Sequence, residues 1–345
     1  MKKVIYISLT AALIISVIVS MSVGAMDIPI KQVIWSVLDI LGIYHSDQLD
    51  DQYKGVLSIV RIPRVLMGIL VGAALGISGA AIQGVFRNPL AESGLIGISA
   101  GASLMSALVI MLETTLFAGM SLMVGYYLLP VSAFIGAAVA SILVYNISKT
   151  NGKPNIATML LAGIAINALA GALTGLISFM ADDQQLRNIT FWMLGSLAGA
   201  TQETLLVVAP FILIPVFILP FQGKMLNAFV LGESQAEQLG MRPSVIKRRV
   251  VLLATLAVGA AVSVSGIIGF VGLLVPHLIR LIGGVDNRYV LPASAIMGAL
   301  VLTVADMLSR ILVPPIELPI GVITALLGTP VFIYILIKDK KKLHQ

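Results

Sequence analysis

Cysteine is absent from this 345-residue chain, which excludes disulfide bonds and thiolate metal sites. Histidine is nearly as scarce: only His45, His277 and His344 occur, and no two of them are close in sequence. We therefore expect no metal site and no cofactor bound by this chain. A phosphate-binding loop of the G-x-x-x-x-G-K-[S/T] type is also missing, which predicts that the chain does not hydrolyse ATP and is not itself an enzyme.

Charged side chains are rare as well. They make up 11% of the sequence, whereas 58% is apolar, and the mean hydropathy is +1.03. Soluble domains carry about 25% charged residues, so the composition predicts a polytopic membrane protein. A bilayer crossing needs roughly 20 mainly apolar residues in a helix, which satisfies its own backbone in lipid. Uncharged runs of this size occur at residues 4–26, 65–86, 93–112, 114–148, 154–181, 204–223, 250–279, 289–305 and 318–337.

We interpret these runs as ten transmembrane helices in an all-α fold that forms one domain over residues 1–345. The run 250–279 is too long for one crossing and short for two, at about 1.5 Å per residue. Three glycines in it, Gly266, Gly269 and Gly272, indicate a break between one full helix and a short one.

The basic residues orient this topology. If the N-terminus lies inside, 16 of the 22 Lys and Arg residues fall on the cytoplasmic side, as the positive-inside rule requires. Both termini are then cytoplasmic, whereas nine crossings would place the basic cluster at 338–342 outside. The run 4–26, which follows Lys2 and Lys3, could instead be a signal peptide, but its 23 residues favour a retained first helix.

The two halves of the chain, about 1–200 and 201–345, resemble each other. The segment 71–74 (VGAA) recurs 187 residues later as 258–261. In the ten-helix topology the two copies run in opposite directions, which predicts an inverted repeat, a common plan among transporters with alternating access. Chance similarity between two helices rich in Gly and Ala is the alternative.

Small residues stand at every fourth position of the run 65–86, and its glycines in this register are Gly68, Gly72, Gly76 and Gly84. Such a stripe removes side chains from one face of a helix and lets two helices touch closely. We therefore predict that these glycines mediate helix packing.

The longest predicted cytoplasmic loop, 224–249, holds a short polar segment between two glycines. A short helix of this kind can act as a rigid lever in a cleft of another protein; a solvated loop helix is the alternative.

The chain also lacks the carboxylates deep in membrane helices that mark ion-coupled carriers, the nearest candidate being Asp306 near a helix end. Energy for active transport would then enter through a partner at this loop. The segment contains Leu231, Gly232, Glu233, Ala236, Glu237, Leu239 and Gly240.

Five sets of short segments stand in order along residues 55–337. They are Arg61-Ile62-Pro63-Arg64, Asn88-Pro89-Leu90-Ala91, Leu231–Gly240, Gly269–Leu273 with Pro276–Arg280, and Glu317–Gly321 with Gly328–Pro330. Each set alone is a weak signal, but together they resemble the FecCD-type permeases of ABC importers for iron–siderophores, haem and cobalamin. One departure is Ser93, where many members of the family have proline.

The resemblance implies a homodimer of ten-helix subunits in a bacterial inner membrane, with a transport path along the two-fold axis. It implies two ATPase subunits, which hold the Mg–ATP and grip the coupling loop 224–249 at residues 231–240. It also implies a periplasmic or lipid-anchored binding protein that delivers the cargo on the outside, and no nucleic-acid partner. Import would proceed by alternating access.

Three arginines, Arg61, Arg64 and Arg310, lie on the predicted outer side near helix ends, against the positive-inside trend. The resemblance implies that they dock the binding protein through salt bridges to its acidic residues, for which the arginine fork is suited. Anchoring in lipid headgroups is the alternative.

The segments 181–187 (ADDQQLR) and 191–197 (FWMLGSL) bear on the cargo, since the first is similar to the haem-importing branch of the family. We place Arg187, Phe191 and Trp192 in the substrate pathway, with Arg187 meeting a haem propionate. A local ion pair of Arg187 with a neighbouring aspartate is the alternative. Haem is thus the predicted cargo. The alternatives are an iron–siderophore or cobalamin permease of the same family and, from another class, an ion-coupled secondary transporter.

Overall fold

The computed structural model describes residues 2–343, apart from 25, 41, 44–49, 114–115, 118 and 120–124. His45 and His344 lie outside these described ranges. The short strands β1 (Lys149–Thr150) and β2 (Lys153–Pro154) form an antiparallel hairpin. The α-helices are α1 (Lys2–Ser22), α2 (Ile30–Ile40), α3 (Asp51–Val56), α4 (Ile62–Phe86), α5 (Ile98–Leu112), α6 (Leu128–Ile147), α7 (Ile156–Met180), α8 (Asp183–Leu194), α9 (Gln202–Ile218), α10 (Gly223–Val230), α11 (Glu233–Gln238), α12 (Pro243–Ser265), α13 (Val271–Gly283), α14 (Asn287–Ile311) and α15 (Ile320–Leu343).

Among the described residues, six helical stretches are long and apolar enough to cross a membrane. They are Lys2–Ser22, Asp51–Phe86, Gly125–Ile147, Ile156–Met180, Gln202–Val230 and Asn287–Ile311. Three further apolar helices are shorter, and they are Ile98–Leu112, Val271–Gly283 and Ile320–Tyr334. The prediction of an all-α polytopic membrane protein is confirmed, whereas the number of ten crossings stays a prediction.

Helix α4 is the centre of the bundle and packs against α1, α9, α10, α12, α13 and α14. Its contact with α14 is made between backbones: a Cβ atom on Gly72 would lie 2.3 Å from the carbonyl oxygen of Gly298. The same atom on Gly76 would lie 2.2 Å from the carbonyl oxygen of Ser294. A Cβ atom on Gly68 or Gly84 would instead meet a leucine side chain. These two helices therefore run antiparallel at a distance that only glycine permits.

One end of the bundle, the basic face, gathers the start of α1, the β-hairpin, α10, α11 and the start of α14. Lys2 pairs with Asp286 at 3.5 Å, and the amide of Asn227 donates to Asp286 at 2.7 Å. Lys153 of the hairpin pairs with Glu237 of α11 at 3.4 Å.

The other end, the opposite face, carries α2, α3 and the residues before α15. There Arg310 of α14 donates to the carbonyl oxygens of Ser20 and Val23, at 3.1 and 2.9 Å. Because Lys2 contacts the start of α14 and Ser20 contacts its end, α1 and α14 are parallel to each other.

The predicted break in the run 250–279 is present. Helix α12 ends at Ser265, α13 begins at Val271, and Gly266 has a φ of 67°, which glycine adopts without strain. The non-helical backbone is satisfied by other chain segments, since the amide of Ser196 donates to the Ser265 carbonyl at 2.8 Å. Non-helical backbone at membrane depth is tolerated where protein shields it in this way.

The two copies of the sequence repeat lie on α4 and α12. Helix α4 runs from Arg64 at the opposite face to Phe86 near the basic face. Helix α12 runs the other way, starting beside the hairpin at Lys247. The opposite directions agree with an inverted repeat, which stays a prediction.

The α4–α14 contact makes a stability prediction. Gly72→Ala places a Cβ atom against the α14 backbone, and overpacking of this kind costs about 1–3 kcal/mol. Gly55→Ala is the matched control, because a Cβ there has no neighbour within 4 Å. Thermal unfolding of the purified permease should show a lower Tm for Gly72→Ala alone, and equal Tm values would contradict the contact.

Candidate transport pathway and partner surfaces

A cavity of about 540 Å³ lies between α5, α7 and α12, beside the break that separates α12 from α13. It extends from the loop after α4, near the basic face, to Met193 at the end of α8. Apolar residues such as Leu75, Val258 and Val262 form part of the wall. The polar residues of the wall are Glu92, Ser93, Ser99, Ser103, Asn167, Thr174 and Ser178.

Among the described residues that line this cavity, Glu92 contributes the one carboxylate. Burial raises the pKa of the Glu92 carboxyl above its ordinary value, because the charged form loses its hydration. Next to it, the amide of Asn167 donates to the Gly94 carbonyl at 3.0 Å and ties α7 to the loop. The end of the cavity that lies nearest the basic face is therefore polar.

The middle of the cavity is kept open by glycines of α7. Gly171 and Gly175 are one helical turn apart, and a Cβ atom on either would meet nothing within 4 Å. Gly269, in the break, has the same free space. These glycines differ from Gly72, whose missing side chain is replaced by a neighbouring backbone. Here the missing side chains leave room.

The residues assigned from sequence to the substrate pathway lie on α8. Arg187 and Phe191 are exposed and share one face of the helix, since they are four positions apart. Trp192 packs against the hydrophobic core, and the next residue, Met193, lines the cavity. In the described part of the chain no ion pair joins Arg187 to an aspartate, and Asp182 caps the start of α8 instead. The local ion pair considered above is therefore not formed.

The coupling segment forms α11, a helix of six residues on the basic face. Gly232 and Gly240, which bracket it, have φ angles of 114° and 78°. Leu231 and Leu239 are 64% and 62% exposed, whereas Ala236 between them is fully buried. Two apolar side chains thus project from a polar surface, and contact of this helix with an ATPase subunit stays a prediction.

A buried ammonium group holds α11 in place. Lys247 of α12 donates to Glu233 at 2.6 Å and to the carbonyl oxygen of Pro154 at 3.0 Å. Arg87, just after α4, lies 3.9 Å from Glu233 on its other side. Because a buried charge is stable only when it is paired, Lys247 fixes α11 relative to α12 and to the hairpin that precedes α7.

The arginines assigned from sequence to docking form an internal network at the opposite face. Arg64 donates to Asp306 at 2.9 Å and grips Glu317 through two bonds of 2.9 Å. Arg310 lies 3.3 Å from the other oxygen of Asp306, and Arg61 donates to the backbone at the end of α1. All three arginines are buried, and Glu317 is the half-exposed member of the network.

This arrangement differs from the solvent-facing one that direct docking needs. Each arginine would have to exchange an internal partner for a carboxylate of another protein. Docking by Arg61, Arg64 and Arg310 therefore stays a prediction, with Glu317 as the group that a partner would meet first.

A sequence model of the FecCD transport family matches residues 12–338. The chain belongs to this family. The hemin transport permease HmuU of Yersinia pestis is 45% identical over 283 residues, which are 82% of this chain and 83% of HmuU. The Fe(3+)-citrate import permease YfmE of Bacillus subtilis is 35% identical over 339 residues, or 97% and 95% of the two chains. The cobalamin import permease BtuC of Halobacterium salinarum is 36% identical over 281 residues, or 81% and 73%.

A solved structure agrees with this assignment. It is described as an inward-facing conformation of a metal-chelate type ABC transporter, and it shares a TM-score of 0.84 and 29% identity with this FecCD permease. The match covers 98% of this chain and all of the other. The prediction of an ABC importer permease is confirmed.

Two residues of the candidate sites in this FecCD permease were not singled out from its sequence. Lys247 looks like one more cation in a basic stretch, and only the fold buries it between Glu233 and the hairpin. Glu92 follows the Asn-Pro-Leu-Ala segment directly, but nothing in the sequence places its carboxyl in a cavity.

The free space beside the glycines of α7 allows a test of whether cargo passes through the cavity. Gly175→Leu fills the cavity without a clash, since its Cβ has free space, so stability should be kept while uptake falls to a small fraction of the original rate. Uptake in proteoliposomes and the Tm of the same preparation measure the two effects. Undiminished uptake by a folded Gly175→Leu variant would show that cargo does not pass this cavity.

Proposed function

We propose that this permease imports haem as a homodimer driven by two separate ATPase subunits. The observation that supports haem as the cargo is the 45% identity to a permease named for hemin transport. The pairing of an exposed cation and an exposed aromatic ring on α8, Arg187 and Phe191, suits a flat apolar ring with propionates. Iron–siderophore or cobalamin transport is the second candidate, favoured by the relatives that are named for Fe(3+)-citrate and cobalamin.

The orientation follows from charge. The basic face carries the Lys and Arg residues that the positive-inside rule places in the cytoplasm. We therefore assign this face, and with it both termini, to the cytoplasmic side of a bacterial inner membrane. The opposite face, with α8 and Glu317, then receives a periplasmic or lipid-anchored binding protein.

The homodimer is supported by the exposed flank of α7. This helix is the outer wall of the cavity, yet it carries exposed apolar residues on the side away from the bundle, among them Leu161, Leu169, Leu176 and Phe179. A second copy packed there would enclose the cavities of both subunits around one axis. Exposed leucines of α7 would then contact a partner helix instead of lipid.

Energy would enter at α11. Leu231 and Leu239 suit an apolar cleft on an ATPase subunit, which would hold the Mg–ATP that this chain has no loop to bind. Movement of α11 would be passed through Glu233 and Lys247 to α12, which lines the cavity and ends at the break. Alternating access requires such a link between the nucleotide sites and the path.

Replacement of Arg187 tests whether haem is the cargo. Arg187→Ala should lower haem uptake about tenfold or more, because a charge-assisted hydrogen bond contributes about 1.5–3 kcal/mol. Basal ATP hydrolysis of the assembled transporter should be unchanged, and Arg187→Lys should recover part of the uptake because it keeps the charge. Proteoliposomes with hemin-loaded binding protein measure both quantities.

Lys31→Ala is the control for this experiment, because it removes an exposed cation from α2 at the same face. Full haem uptake by a stable Arg187→Ala variant would refute the propionate contact. Uptake of a ferric siderophore or cobalamin, with none of haem, would assign the second candidate cargo.

Replacement of Lys247 tests whether ATP hydrolysis is coupled to uptake through its ion pair with Glu233. Lys247→Met keeps the volume of the side chain but leaves Glu233 without its buried partner, so uptake should fall while basal ATP hydrolysis persists. Lys247→Arg should restore part of the uptake. Glu233→Ala combined with Glu237→Ala should weaken assembly with the ATPase or uncouple hydrolysis from uptake.

The matched control is Lys153→Met, since Lys153 pairs with Glu237 at the exposed surface. Exposed pairs are worth about 0–1 kcal/mol, so its effect on uptake should be small. If Lys247→Met shows normal uptake and normal cargo-stimulated hydrolysis, α11 is not coupled through this ion pair.

A further inference from the structure

A groove of about 310 Å³ runs along the contact between α6 and α12 and shares no residue with the central cavity. Its walls are nearly all apolar, and they include Phe134, Ala138, Ile142, Leu252 and Leu256. The groove lies on a membrane-spanning part of the fold, so its occupant must come from within the bilayer or from a packed protein.

The hydroxyl groups that line this groove are largely engaged with each other. Its two hydroxyls, those of Ser141 and Thr255, are buried and bond to each other at 2.6 Å. A polar ligand would leave its own hydrogen bonds unmade here, which is costly in an apolar site. A hydrocarbon chain has no such requirement.

The length of the groove matches one leaflet. From Tyr145 to Phe134 along α6 is eleven positions, or about 16 Å at 1.5 Å per residue. This is about half of the roughly 30 Å hydrocarbon core. At the end of the groove that lies nearest the bilayer midplane, the ring of Phe134 packs edge-on against Phe211 of α9, with ring centres 5.7 Å apart.

The other end of the groove lies at the basic face and is cationic. Arg248 lines it, is exposed, and has no carboxylate partner within the described ranges. Lys149 lies 5.0 Å above the ring of Tyr145, and in the described part of the chain its one hydrogen-bond partner is the Asn146 amide oxygen, at 2.8 Å. The nearby carboxylates of α11 are already engaged by other lysines.

We propose that this groove binds an anionic phospholipid, with one acyl chain between α6 and α12 and the phosphate at Arg248 and Lys149. Basic pockets between membrane helices on the cytoplasmic side recognise such headgroups, and charge-assisted bonds from arginine suit a phosphate. The assignment of this lipid to the cytoplasmic leaflet rests on the orientation proposed above. The preference for an anionic headgroup and an acyl chain depends only on the groove and its two cations. The lipid then lies against α12, between the coupling helix and the break.

Native mass spectrometry of the full permease in detergent, titrated with phosphatidylglycerol or phosphatidylcholine, tests this site. The wild-type protein should retain phosphatidylglycerol preferentially. Arg248→Gln combined with Lys149→Gln should weaken that binding about 25-fold, the product of about fivefold for each cation near the headgroup. Arg249→Gln combined with Lys224→Gln is the matched control, since it removes two exposed cations of the same face outside the groove, and it should keep the preference.

Ile142→Trp tests the acyl chain, because a larger side chain in the groove wall should reduce retention of both lipids. Ile142 is half exposed, so the substitution need not disturb the core. Equal retention of the two lipids by the wild type, or an unchanged preference in the Arg248 and Lys149 variant, would overturn the proposal. Undiminished retention by Ile142→Trp, or loss of the lipid when the ATPase subunits are added, would assign the groove to another occupant.

Discussion

The backbone contact between α4 and α14 is the interaction on which the rest of the bundle depends. Lipid is as apolar as the helix surfaces, so burial of apolar area does not drive helices together inside a membrane. Close backbone approach at Gly72 and Gly76 supplies dense van der Waals packing instead. Since α4 also touches α1, α9, α10, α12 and α13, its position determines where most of the other helices lie.

Buried charge is placed at the two ends of this bundle. At the opposite face Asp306 is held between Arg64 and Arg310, so the carboxylate considered from sequence for an ion-coupled carrier is engaged in an internal network. At the basic face Lys247 is held by Glu233. Each cluster joins elements that are distant in sequence, and a buried charge leaves its partner only at a large energetic cost. Each end of the bundle is thereby tied together by buried ion pairs.

The middle of the protein is built differently. Its cavity is lined by serine, threonine, asparagine and glycine as well as by apolar residues, and helices α8 and α12 end beside it. Helix α12 connects the regions, since Lys247 lies near its start, Val258 and Val262 line the cavity, and Ser265 ends it at the break. A displacement of α11 has a direct structural route to the cavity along this one helix.

Much of the architecture was determined by the sequence alone. The apolar runs predict membrane helices because lipid leaves the backbone no other partner, and the glycines at 266, 269 and 272 predict the break because they favour non-helical backbone. The ordered motifs also identified the family that the comparisons show.

Other features were decided only by the tertiary structure. The burial of Arg61, Arg64 and Arg310 depends on carboxylates and carbonyl groups that are up to 290 positions away in sequence. The cavity beside Glu92 and the burial of Lys247 likewise arise where separate helices meet. A charged residue near a helix end has the same local sequence whether it faces water or a buried partner, and only the packing of distant segments distinguishes the two.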